Sequence, residues 1–183
     1  MEKNLIEGCL KECTLCPHNC KVNRLEGKIG RCRAGKDIKL GHVQVHSFEE
    51  PCISGENGSG TVFFSGCNLS CVFCQNYKIS QNDNGKIISV EELAEEFLKL
   101  QEKNVNNINL VTGFMYVPHI VEAVKIARSK GLVIPIVYNS SGYENPEIIS
   151  FEKTVAAIVP SIAARFPLPI PSLNTATKLP FPS

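Results

Sequence analysis

The sequence contains no long hydrophobic run. Its opening residues, Met1-Glu2-Lys3-Asn4-Leu5-Ile6-Glu7-Gly8, hold no apolar stretch of signal-peptide length. No run elsewhere approaches the ~20 apolar residues with which a helix crosses a bilayer. Neither sign of charge is in excess: 19 basic against 18 acidic residues leave a formal net charge of +1. Nothing in that balance draws the chain toward nucleic acid or an anionic membrane surface. The expectation is a cytoplasmic protein with no nucleic-acid and no membrane partner. A reducing compartment disfavours structural disulfides. Of the nine cysteines, those that stand in groups are therefore expected to be metal ligands or redox groups.

Hydrophobic residues make up 43% of the chain and charged residues 20%, ordinary globular values that exclude wholesale disorder. A length of 183 residues suffices for one domain with a core and a small appended module. Residues 9–60 are rich in Gly, Lys and Cys and have little periodicity, which predicts a loop-dominated module that a metal would staple. From Thr61 the pattern changes. Thr61-Val62-Phe63-Phe64-Ser65-Gly66 reads as a buried strand. Ser89 and Glu92 form a capping box, and Val90, Leu93, Ala94, Phe97 and Leu98 follow on one helical face.

Asn109-Leu110-Val111-Thr112-Gly113 gives a second strand. Val117, Ile120, Val121, Val124 and Ala127 give a second helix that Gly131 closes. Residues 132–138 form a third apolar run, interrupted by Pro135, and residues 154–159 form a weaker fourth. This alternation predicts an α/β fold with a parallel sheet. In such folds the chemistry gathers at the carboxyl ends of the strands. Five of the eleven prolines fall in residues 167–183, which predicts an irregular tail. The expected division is a Cys-rich extension over 1–60, a core over 61–160 and a Pro-rich tail over 161–183.

The first strand runs straight into Gly66-Cys67-Asn68-Leu69-Ser70-Cys71-Val72-Phe73-Cys74. Thiolates at Cys67, Cys71 and Cys74 can wrap one corner of a [4Fe–4S] cubane, each holding one iron. Such a cluster normally takes four cysteines. Three ligands leave one iron open, and an open coordination position marks a reactive metal centre. Structural zinc would want a fourth ligand nearby, and none follows Cys74.

A second group, Cys13, Cys16, Cys20 and Cys32, supplies four thiolates within about twenty residues, enough for a closed tetrahedral zinc site and also for a second iron–sulfur cluster. A nucleic-acid-binding knuckle competes, but aromatics do not interleave with its basic residues. Cys9 is a substitute ligand for that group, and Cys52 reads as a small apolar packing residue. His18 reads as a solvated loop residue or a further ligand. His42, His46 and His119 have no companion acid or nucleophile in the sequence.

The spacing of Cys67, Cys71 and Cys74 resembles the signature of the radical S-adenosylmethionine superfamily. The run from Glu49 through Gly66, together with the Cys-Pro segment near Cys16, looks like the subgroup related to pyruvate formate-lyase-activating enzymes. The resemblance implies a partial (β/α) barrel with a Cys-rich extension, a [4Fe–4S] cluster and S-adenosyl-L-methionine as cofactor. It implies reductive cleavage to methionine and a 5′-deoxyadenosyl radical, with a glycyl-radical enzyme as protein substrate. A low-potential donor such as flavodoxin or ferredoxin would supply the electron. The resemblance also implies that Phe73 packs near the adenine. Thr112 and Gly113 would meet the cofactor at the end of the second strand, and Asn139 and Ser140 at the end of the third.

Two departures bear on activity. Thr112-Gly113-Phe114-Met115 matches neither the Gly-Gly-Glu nor the Thr-Pro-Thr pattern of the family at that strand end. Three βα units and part of a fourth are fewer than the family core contains, and an incomplete sheet leaves an unpaired edge. The alternative expectation is therefore a truncated, catalytically inactive iron–sulfur or zinc-binding protein.

Overall fold

A computed structural model describes residues 3–82, 84–145 and 158–160, with the backbone alone for residues 3–5, 52 and 158–160. A short helix α1 (Lys3–Lys11) leads into the cysteine-bearing loops and a 3₁₀ turn at Arg24–Glu26. Strand β1 (Ile38–His46), helix α2 (Pro51–Ser54) and strand β2 (Ser59–Phe64) follow. Then come α3 (Tyr77–Ser80), β3 (Lys86–Ile88), α4 (Val90–Glu102), β4 (Ile108–Val111), α5 (Val117–Ser129), β5 (Ile136–Asn139) and β6 (Ile158–Pro160).

One sheet has the order β3-β1-β2-β4-β5-β6. Strands β2, β4, β5 and β6 are parallel, with Val62 opposite Leu110 and Leu110 opposite Tyr138. The fold is α/β as expected, but the sheet is mixed. β1 runs antiparallel to both β2 and β3. Residues 9–60, expected to be loop-dominated, thus contain the end of α1 and a nine-residue strand. The alternation of Ile38 and Leu40 with polar neighbours is broken by an irregularity between Leu40 and His42, which shifts the apolar period to Val43 and Val45.

Helices α4 and α5 cover one face of the parallel strands. The α4 capping box forms as its sequence predicts: Glu92 N–H donates to Ser89 Oγ at 3.1 Å, and Ser89 N–H donates to the Glu92 carboxylate at 2.7 Å. Leu93, Phe97, Ile120 and Val124 then bury against Val62, Phe64, Ile108, Leu110 and Ile136 in one core. Strand β5 begins just after Pro135, so the proline precedes the ladder instead of breaking it. Residues 154–157 of the weaker fourth run and the Pro-rich tail lie outside the described residues, as does the side chain of Cys52. Among the described residues no helix is long and apolar enough to cross a membrane.

The core does not stop at the sheet. Cys13, Leu15, Cys16, Cys32 and Ala34 belong to the same buried cluster as the strands. The amino-terminal loops pack into the carboxyl-end edge of the sheet, where parallel strands deliver the residues that follow them.

Candidate metal and cofactor site

Three parallel strands end side by side. β2 leads through Ser65 and Gly66 to Cys67, β4 leads to Thr112, and β5 ends at Asn139 before Ser140. The cysteine triad and the four strand-end positions expected to meet a cofactor are therefore brought to one edge of the sheet.

Gly66 has φ +89, and a Cβ there would overlap the backbone carbonyl oxygen of Cys32. Only glycine fits that turn. Beyond it the loop is fixed from several sides. Leu69 N–H donates to Cys67 Sγ at 3.4 Å. Buried Asn68 donates its side-chain N–H to Tyr143 O at 2.7 Å, and its own carbonyl lies 2.9 Å from His18 Nε2. Arg31 donates to Ser70 Oγ at 3.1 Å, and Gln81 donates to Leu69 O at 2.9 Å.

Cys67 and Cys74 are half-buried and Cys71 is exposed. Burial pushes the Cys67 thiol up, the Leu69 N–H pulls it back, and Cys74, Cys71 and Glu144 add to the rise. Ser80 Oγ lies 3.3 Å from Cys74 Sγ. These contacts suit thiolates that a metal has deprotonated.

Among the described residues no three His, Cys, Asp or Glu side chains close round a single ion. A zinc site would bring every sulfur to about 2.3 Å from one atom. In a cubane each thiolate binds its own iron, so the sulfurs stand further apart. Three thiolates, each with its own iron, fit a cubane with one iron open; Cys13, Cys16, Cys20 and Cys32 likewise do not close round one ion.

Phe73 is 90% exposed beside Cys74, with a ring face free for a flat ligand. Thr112 adopts φ +59, a left-handed conformation that costs a β-branched residue about 1–3 kcal/mol. Strain of that kind gathers at ligand sites. Gly113 answers to packing, since a Cβ there would stand 2.8 Å from Ile120 Cδ1. Asn139 is exposed, and Ser140 Oγ donates to the carboxylate of buried Glu144.

Of the second cysteine group, Cys13, Cys16 and Cys32 are buried and Cys20 is exposed. Burial pushes the thiols of Cys13 and Cys32 up, while the nearby Arg24 charge pulls them down. Cys9 is half-buried, and burial followed by the proximity of Cys13 raises its thiol as well. His18 is engaged with Asn68 and sits edge-on to Tyr143 at 5.3 Å between ring centroids. His42 stacks on Phe63, and His119 is buried in α5. Sequence reasoning missed Arg24, Asn68 and Glu144. The serine-rich turn before Glu144 was the one local signal, since it offers hydroxyls to a carboxylate.

Comparison with known proteins agrees with this geometry. The profile of the radical SAM superfamily matches residues 61–175. An uncharacterized protein of Methanocaldococcus jannaschii is 32% identical over 165 residues, covering 86% of this chain and 47% of that one. The pyruvate formate-lyase-activating enzyme of Clostridium pasteurianum is 25% identical over 112 residues, covering 58% of this chain and 47% of that one. The chain spans about half the length of both relatives. A superfamily profile that matches most of the chain, and begins on the strand leading to the triad, makes this protein a member of the radical SAM superfamily, in which an iron–sulfur cluster serves the cleavage of S-adenosylmethionine.

Proposed function

We propose that Cys67, Cys71 and Cys74 hold a [4Fe–4S] cluster with one open iron, and that the chain reductively cleaves S-adenosyl-L-methionine to activate a glycyl-radical enzyme. The observation that carries this reading is the juxtaposition of the triad with the ends of β4 and β5 on one sheet edge. When bound, the cluster and cofactor supply a one-electron cleavage that yields methionine and a 5′-deoxyadenosyl radical.

The chain's own residues bind and orient. Phe73 offers the aromatic face for the adenine. Thr112, Asn139 and Ser140 offer polar groups at the strand ends, and Gly113 lets that turn lie close to the core. Leu69 N–H and Ser80 Oγ stabilise two of the thiolates. Asn68 fixes the triad loop to the loop after β5.

The four parallel strands form the first part of a (β/α) barrel in this reading. Residues 1–60 are an extension whose β1 widens the sheet, residues 61–160 belong to the core, and the 161–183 tail lies outside the described residues. Kinship with a pyruvate formate-lyase-activating enzyme supports a protein substrate, and a flavodoxin or ferredoxin would supply the electron that reduces the cluster. Cys13, Cys16, Cys20 and Cys32 take a second metal, zinc or iron–sulfur.

Anaerobic reconstitution with iron and sulfide, followed by dithionite and S-adenosylmethionine, tests the reading. We expect 5′-deoxyadenosine from the native chain and none from Cys71→Ala. Bound iron without cleavage would instead support the inactive iron–sulfur alternative.

A further inference from the structure

Arg24 is 1% exposed, and its guanidinium has no carboxylate partner among the described residues. A buried cation without a counter-charge is costly. Its contacts are sulfur and backbone: Nη2 lies 3.0 Å from Cys13 Sγ and 3.7 Å from Cys32 Sγ, and Nη1 donates to Met115 O at 2.8 Å. Nε has no hydrogen-bond partner among the described residues. Neutral thiols are weak acceptors and would leave that charge unmet. Thiolates would meet it.

The backbone holds these cysteines in tight turns. Three non-glycine residues beside these cysteines, Asn19, Lys21 and Arg33, have φ of 43, 52 and 62. Their N–H groups donate to Cys16 O, Cys13 O and Gly30 O, which closes the tight loops that carry the cysteines. Gly30 keeps the chain close to Cys20, where a Cβ would stand 2.6 Å from the sulfur.

We propose that Cys13, Cys16, Cys20 and Cys32 bind a thiophilic metal as a tetrathiolate centre of net negative charge, and that Arg24 is its buried counter-ion. The inference rests on reading these four thiols as metal ligands. Binding releases the thiol protons to solvent. Four thiolates outweigh the charge of zinc(II) and of a [4Fe–4S] core alike, so the centre is an anion with either metal. The centre is also a brace. Cys32 O abuts Gly66, Arg31 holds Ser70, His18 holds Asn68, and Arg24 holds the turn after β4. Arg24 is thus a positioning residue that couples the second centre to the loop bearing Cys67.

The test uses the full chain with Cys67, Cys71 and Cys74 all changed to Ser, so that any metal belongs to the second centre. Zinc, iron and acid-labile sulfide are counted after anaerobic purification. One centre per chain is expected, zinc without sulfide or iron with it, and the sulfide separates the two sources. Less than about a tenth of a centre per chain would overturn the metal reading itself.

In the same background, Arg24→Met should lose metal to a chelator at least tenfold more readily, and Arg24→Lys should recover most of that loss. Unchanged retention in Arg24→Met would overturn the counter-ion role and leave the metal reading standing. Cys20→Ser, at an exposed position, should weaken retention similarly even if Arg24→Met fails to fold. Metal loss should also speed amide exchange at residues 66–70. Unchanged exchange there would overturn the brace.

Discussion

Gly66→Ala isolates the contact between the two cysteine regions. Gly66 sits at φ +89, where an L-residue costs about 1–2 kcal/mol. Its new methyl would overlap Cys32 O and stand 3.2 Å from Met115 Cε. The oxygen belongs to backbone and cannot rotate away, so one of the two loops must move. Overpacking of this kind costs about 1–3 kcal/mol. Together the two effects predict a loss of about 2–5 kcal/mol, a large share of the 5–15 kcal/mol that holds a typical domain. Urea unfolding of the metal-free protein reads the change as a lowered midpoint, and iron loading of the native triad should fall with it. Gly8→Ala is the control. Nothing lies within 4 Å of a Cβ there, and the position is inside α1, so alanine should stabilise by about 0.5–1 kcal/mol. A Gly66→Ala midpoint equal to that of the native protein would refute the reasoning.

Three further outcomes follow from the same structure. Asn68→Ala removes the 2.7 Å bond to Tyr143 O, and should cost about 1–3 kcal/mol and speed amide exchange in both loops; exchange confined to one loop would contradict the link. Ser89→Ala removes the α4 cap and should cost about 0.5–2 kcal/mol by denaturant midpoint, with Ser89→Asn restoring most of it. Burial, and secondarily the Arg24 charge, holds His119 below its ordinary value of 6.5. The folded protein therefore binds fewer protons than the unfolded chain, so this stability is present above pH 6.5 and is lost as pH falls through the depressed native value. His119→Gln should flatten that acid-side decline in urea midpoint, and an unchanged decline would remove His119 as its source.

Legibility in the sequence followed the range of the interactions. The α4 capping box and the triad spacing lie within a few residues, so both could be read directly. Strand β1 was hidden because an irregularity at residues 40–42 breaks its alternation. Arg24 looks like any solvated basic residue in sequence. Its role appears only when packing brings Met115, 91 residues away, and Cys32 to the same guanidinium. Asn68 and Glu144 were hidden for a related reason, since both stand in segments whose polar residues suit ordinary turns. Thr112 was found by position, but its left-handed backbone adds the physical signal that the family pattern at that strand end did not supply.

The central claim, a site-differentiated cluster on Cys67, Cys71 and Cys74, is tested most directly by electron paramagnetic resonance. The spectrum of the reduced, reconstituted protein is compared with and without S-adenosylmethionine. The account predicts a reduced-cluster signal whose shape changes when the cofactor is added, and loss of that change in Cys71→Ala. A native spectrum indifferent to S-adenosylmethionine, or a response that survives Cys71→Ala, would contradict it.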